Sequence, residues 1–123
     1  ELMTFLARQY GKTRGNASQE LLRIGEVIGA LEREFTRPWT IGEMCGMAHM
    51  SRSTFLRNFR RAMGQAPVEF LLERRLEAAR RLLRDTDRPI TEIAFEAGFS
   101  DSNYFARVFR RAAGMTPSGY RRR

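Results

Sequence analysis

The run "MSRSTFLRNFRRAMGQAP" at residues 50–67 comes back later in the chain inside "GFSDSNYFARVFRRAAGMTP" at residues 98–117. Aligned on Gly64 and Gly114, the copies share Phe55/Phe105, Arg57/Arg107, Phe59/Phe109, Arg60/Arg110, Arg61/Arg111, Ala62/Ala112 and Pro67/Pro117. In each, apolar residues recur at helical spacing, a glycine able to take the left-handed conformation follows, and a proline suited to a first helical turn comes next. Such a repeat requires two units of one design, each built around an amphipathic helix with its own stop signal.

The remaining helices follow from the same signals. Leu21, Leu22, Ile24, Val27, Ile28, Leu31 and Phe35 are spaced as one helical face over residues 20–35, ended by Thr36, Arg37 and Pro38. Thr40 with Glu43 three residues on forms a capping box for a short helix to about His49, and Ser51 caps the next, to about Met63. A longer helix runs from Pro67 to about Arg84, its inner face using Val68, Leu71, Leu72, Leu76, Ala79, Leu82 and Leu83. Pro89 starts a short helix to about Ala97, Ser100 or Asp101 caps another to about Ala113, and Pro117 opens a final turn or short helix. No stretch shows sustained strand alternation. The fold class expected is all-α, with about seven helices in two helix-turn-helix subdomains joined by a long connecting helix. The expected organisation is 1–19 as a linker or the remnant of an upstream domain, for its glycines and small polar residues, 20–66 as the first unit, 67–85 as the connecting helix and 86–123 as the second unit. Glu1 stands where a methionine would begin a complete chain, so the sequence reads as a piece of a longer protein.

In the second unit, Ala94 is small enough for two helices to cross, and Gly98 suits a turn with positive φ. Cys45 and His49 take those places in the first unit, and a histidine makes that turn the less secure of the two. Phe55, Phe59 and Ala62 are expected to point inward, as are Phe105, Phe109 and Ala112. The opposite faces carry Arg52, Ser53, Arg57 and Arg60, then Ser102, Asn103, Arg107 and Arg110. Arginine pairs two-fold with guanine and asparagine with adenine, and a helix fits the major groove of B-DNA.

Charge points the same way. Of 123 residues, 22 are basic and 14 acidic, for a net charge of +8, and Lys12 is the only lysine. Arginine forks onto phosphates and guanine edges, so the excess fits a nucleic acid partner. Cys45 is the only cysteine, which rules out an intrachain disulfide and a cysteine-based zinc site, and the default is a reducing cytosol. The apolar runs are too short to span a bilayer and no signal peptide is visible. No nucleophile is paired with a base, so no catalytic residue, cofactor or metal is expected.

Two units on one chain have a physical use. Dimeric helix-turn-helix proteins read half-sites about 34 Å apart. A helix from Pro67 to Arg84 is about 27 Å long and lets a single chain span adjacent major grooves as a monomer.

The sequence resembles the DNA-binding domain of AraC/XylS-type bacterial transcription regulators over about Glu20 to Arg121. "ITEIAFEAGFSD", "YFARVFRR" and "GMTPSGYR" carry that resemblance in their order and spacing. "GFSDSNYF" also resembles the rhamnose-responsive branch, a text that many branches share. The resemblance implies binding to double-stranded promoter DNA, usually to activate transcription through RNA polymerase, in the cytoplasm at the nucleoid. It implies base contacts from Ser53, Arg57, Ser102, Asn103 and Arg107. Asp101 is close enough to join them, and Arg52, Arg60, Arg61, Arg110 and Arg111 suit phosphates or surface ion pairs. Asn103 either caps its helix or reads a base, and Tyr104 packs either on the DNA backbone or on its neighbours. The first unit departs from the pattern at Gly42, Gly46 and His49. The rival functions are an enzyme carrying this domain as an appendage and a helical module whose basic face binds an acidic protein.

Overall fold

The computed structural model describes the backbone of residues 2–123 and the side chains of residues 17–123. Seven helices and no strand are found among the described residues: α1 (Leu2–Arg33), α2 (Ile41–Ala48), α3 (Arg52–Met63), α4 (Pro67–Asp85), α5 (Ile90–Glu96), α6 (Ser102–Ala113) and α7 (Pro117–Arg122). The chain divides by its contacts into two compact units. The first comprises residues 1–31 and 39–67, the second 32–38 and 68–123.

Local signals set most helix ends. Thr40 Oγ1 accepts from the Glu43 N–H and Glu43 Oε1 accepts from the Thr40 N–H, each at 3.1 Å, which closes the capping box of α2. Ser51 Oγ accepts from the Thr54 N–H at the start of α3. Asp101, not Ser100, caps α6. At the other ends, Gly64 and Gly114 take nearly the same left-handed conformation, φ 74° and 77°. Their N–H groups reach the Arg60 and Arg110 carbonyls at 2.7 and 2.8 Å. The repeat seen in the sequence is thus a repeat of caps as well as faces.

The helix expected to begin at Glu20 begins at Leu2. Glycine and small polar residues are a weak bias against helix, about 1 kcal/mol per glycine. A helix anchored downstream by the buried Ile24, Val27 and Leu31 carries such residues along. Three details of the expected faces are corrected. Leu21 and Leu22 are 64% and 68% exposed. Val68 is 58% exposed, whereas Phe70, left out of the expected inner face, is buried. Ala62 and Ala112 are exposed, and Met63 and Ala113 are the half-buried residues of those last turns. Helical period decides which residues share a face. Where along the helix a neighbour stops covering that face depends on the other elements.

The second unit has its core among Leu76, Ala79 and Leu83 of α4, Ile93 and Ala94 of α5, Phe99 of the turn and Phe105, Val108 and Phe109 of α6. Aromatic contacts run through it, Phe99 to Phe105 at 4.9 Å, Phe105 to Phe109 at 5.6 Å and Phe109 to Tyr120 of α7 at 5.5 Å. Arg121 donates to the Leu83 and Thr86 carbonyls at the end of α4, so the final helix is tied to the core through that residue. In the first unit Phe55 and Phe59 are fully buried, 5.8 Å apart.

Candidate nucleic-acid interface

Each unit presents a helix, a tight turn and a second helix. In the first turn the His49 and Met50 N–H groups bond the Gly46 and Cys45 carbonyls. In the second the Gly98 and Phe99 N–H groups bond the Phe95 and Ala94 carbonyls in the same pattern. The turns then diverge by one residue, since Ser100 has no counterpart between Met50 and Ser51.

Both turns need a left-handed residue. Gly98 supplies it at φ 104°, and His49 at φ 54° is the only non-glycine with positive φ among the described residues. Cys45 and Ala94 are both buried where the paired helices meet, as small side chains must be. The sequence missed what lies behind Gly98. A β-carbon there would stand 2.7 Å from the Thr36 Cα and 3.0 Å from Arg75 Nε. Arg75, on α4, donates to the Phe35 and Arg37 carbonyls at 2.7 and 2.9 Å. Burial lowers the guanidinium's pKa, an effect partly offset by the Tyr104 phenol. In the sequence Arg75 is one of several arginines on a charged helix, with no signal to mark it.

On α3, Ser53, Arg57 and Arg60 follow at i, i+4 and i+7, opposite the buried Phe55 and Phe59, and all three are exposed. On α6, Asn103, Arg107 and Arg110 repeat that row opposite the buried Phe105, Val108 and Phe109. These are six of the eight residues expected on the polar faces, the other two being Arg52 and Ser102. Arg52, Arg61, Asp101 and Arg111 are exposed on the flanks. Ser102 is half-buried, because it lies toward the same side of α6 as Phe109.

The structure gives several of these residues local roles. Asp101 Oδ1 accepts from the Asn103 and Tyr104 N–H groups, at 2.8 and 3.4 Å, and so organises the first turn of α6. Asn103 takes part in that cap through its backbone, and its side chain is exposed. Arg60, Arg61, Arg110 and Arg111 stand in the last turns of their helices, where cations suit the helix dipole. Tyr104 packs on its neighbours. Its ring meets Phe99 at 6.2 Å and lies under the Arg107 guanidinium. An aromatic three residues before an arginine on one helix is the signal that could have found that contact.

Arrays of this kind offer hydrogen-bond forks and positive charge from a stiff helical support, with no burial of the guanidinium groups. Among the described residues there is no group of three or more His, Cys, Asp or Glu placed to hold a metal ion. No helix of the described residues is long and apolar enough to cross a membrane.

Comparison with known proteins places these features in a family. A helix-turn-helix domain model matches residues 44–123. A putative AraC-like transcription regulator of Streptomyces antibioticus is 32% identical over 99 residues, covering 80% of this chain and 33% of that protein. The transcriptional activator RhaR of Klebsiella pneumoniae subsp. pneumoniae is 31% identical over 121 residues, 98% of this chain and 43% of that protein. The chain thus spans well under half the length of these relatives. The crystal structure of the DNA-binding domain of AdpA, the global transcriptional factor, in complex with a target DNA is similar with a TM-score of 0.76 and 32% identity. That likeness covers 80% of this chain and 89% of the other. The C-terminal domain of the two-component response regulator yesN from Fusobacterium nucleatum is similar with a TM-score of 0.75 and 28% identity, over 79% of this chain and 95% of the other.

Proposed function

The chain belongs to the AraC-type helix-turn-helix family, and on that basis we propose that it binds specific sites in double-stranded promoter DNA and thereby regulates transcription. The family is one of DNA-binding regulators, not a class of enzymes. The observation that carries the reading is the repeated row of exposed side chains, Ser53–Arg57–Arg60 and Asn103–Arg107–Arg110, on two helices with matching caps. Each row is the donor and acceptor set that base edges and phosphates require.

In this proposal α3 and α6 are the reading helices, one in each of two adjacent major grooves. Ser53 and Arg57 read bases in one groove, and Asn103 and Arg107 in the other, with the half-buried Ser102 at the edge of the contact. Arg52, Arg60, Arg61, Arg110 and Arg111 take phosphates. Asp101 acts by fixing the start of α6. The domain works as a monomer, because one chain carries both reading helices. It acts in the cytoplasm at the nucleoid, and promoter activation proceeds through contact with RNA polymerase.

Selection from random duplex DNA with the purified chain tests this. The expected product is a bipartite site with two motifs about 10 bp apart. Arg57→Ala and Arg107→Ala should each relax one half, by about 1–3 kcal/mol at the base pair concerned. Failure to enrich any sequence at any salt concentration would exclude base reading and favour an acidic protein partner for the basic face.

A further inference from the structure

Arg107 is braced from the core. The Tyr104 ring, one turn earlier on α6, lies under its guanidinium with Cζ 5.9 Å from the ring centroid, within the range of a cation–π contact. The same ring meets Phe99, which is buried in the turn and packs on Phe105. The Tyr104 N–H is also within reach of Asp101 Oδ1. A line of contacts therefore runs from the aromatic core of the second unit to the arginine on its outer face. Tyr104 itself is 40% exposed, so core burial does not account for the whole of its ring.

We infer that Tyr104 is a positioning residue for Arg107 and sharpens base discrimination by the second reading helix. The inference rests on the reading of Arg107 as a base contact. A long arginine side chain loses rotamer freedom when it grips a base, and a ring that already confines the guanidinium removes part of that loss. The two contacts are compatible, because the ring interacts with the positive charge centred on Cζ, which leaves the N–H donors of the fork available for a base edge. In the first unit Thr54 stands in the place of Tyr104, and its Oγ1 accepts from Ser51 Oγ at 2.9 Å. With no ring at that position, the base pair facing Arg57 is discriminated less sharply than the one facing Arg107.

The test uses the chain with its selected duplex and duplexes changed at each base pair of the second half-site. Affinities are measured for the parent, Tyr104→Leu, Tyr104→Phe, Arg107→Ala and the Tyr104→Leu/Arg107→Ala double variant, with melting curves for each. Arg107→Ala identifies the base pair that Arg107 reads. At that pair Tyr104→Leu should lose about two- to five-fold in discrimination, the effect of an exposed cation–π contact. Tyr104→Phe should keep the discrimination, and Tyr104→Leu should add no loss there once Arg107 is gone. An equal loss against every sequence, a loss that persists in the Arg107→Ala background, or a Phe variant that behaves like Leu overturns the inference. A strong effect of Arg107→Ala beside none of Tyr104→Leu overturns the inference alone. An Arg107→Ala variant with every base preference intact overturns the base-reading role as well.

Discussion

Arg75 Nε lies 3.0 Å from the place where a β-carbon on Gly98 would stand, and the Thr36 backbone is closer still. The turn of the second helix-turn-helix and the segment after α1 are thus packed together through a residue that must have no side chain. Gly98→Ala meets both a positive φ of 104° and a backbone clash at 2.7 Å that no rotamer relieves. It should cost about 2–4 kcal/mol. Gly114→Ala has the same kind of backbone but open space around it, and should cost about 1–2 kcal/mol. Denaturant titration of the two variants side by side checks the difference.

Arg75 satisfies the carbonyls of Phe35 and Arg37 with two donors of one fork. Lysine carries a point charge and cannot reproduce that geometry. Arg75→Lys and Arg75→Met should both destabilise the fold, by about 1.5–3 kcal/mol, with lysine giving little rescue. Arg81→Lys, on the same helix in an exposed position, is the control and should stay within about 0.5 kcal/mol of the parent in thermal melts.

Gly46 lies in α2 with nothing within 4 Å of the place a β-carbon would take, and Gly25 in α1 is equally open. Neither has the positive φ that would require glycine. Gly46→Ala and Gly25→Ala should each stabilise the chain by about 0.5–1 kcal/mol. A fall in melting temperature for either would mean that the backbone there does something the helix does not require.

Phosphate and base contacts differ in their response to salt. Arg111→Ala removes an exposed charge from the flank of α6 and should weaken binding to all sequences alike. Its plot of log affinity against log salt should become shallower by about 0.9 if one phosphate contact is lost. Base preference should survive this change. A relaxed preference in Arg111→Ala would move that residue from the backbone to the base edges.

The all-α class, the seven helices and most caps were legible because they rest on local chemistry. Thr40 with Glu43, Ser51, Gly64 and Gly114 act on groups within a few residues of themselves. The row Asn103–Arg107–Arg110 was legible for the same reason, since helical period alone places it opposite Phe105 and Phe109. Ser102 was assigned to the reading face by sequence but stands half-buried at its edge. The position of Asp101 suggested DNA contact, and the structure engages its carboxylate with backbone N–H groups.

By itself, the sequence determined that this chain makes two copies of one capped, two-faced helix, because periodicity and capping are properties of neighbouring residues. It could not determine that Leu21, Leu22 and Val68 are left uncovered, that Phe70 is buried, or that Arg75 differs from the other arginines on its helix. Those outcomes depend on which elements meet across long separations in the chain. Only the tertiary structure sets Thr36 against Gly98, closes Arg75 onto the carbonyls of Phe35 and Arg37, and seats Phe99 among the aromatic residues that support Tyr104.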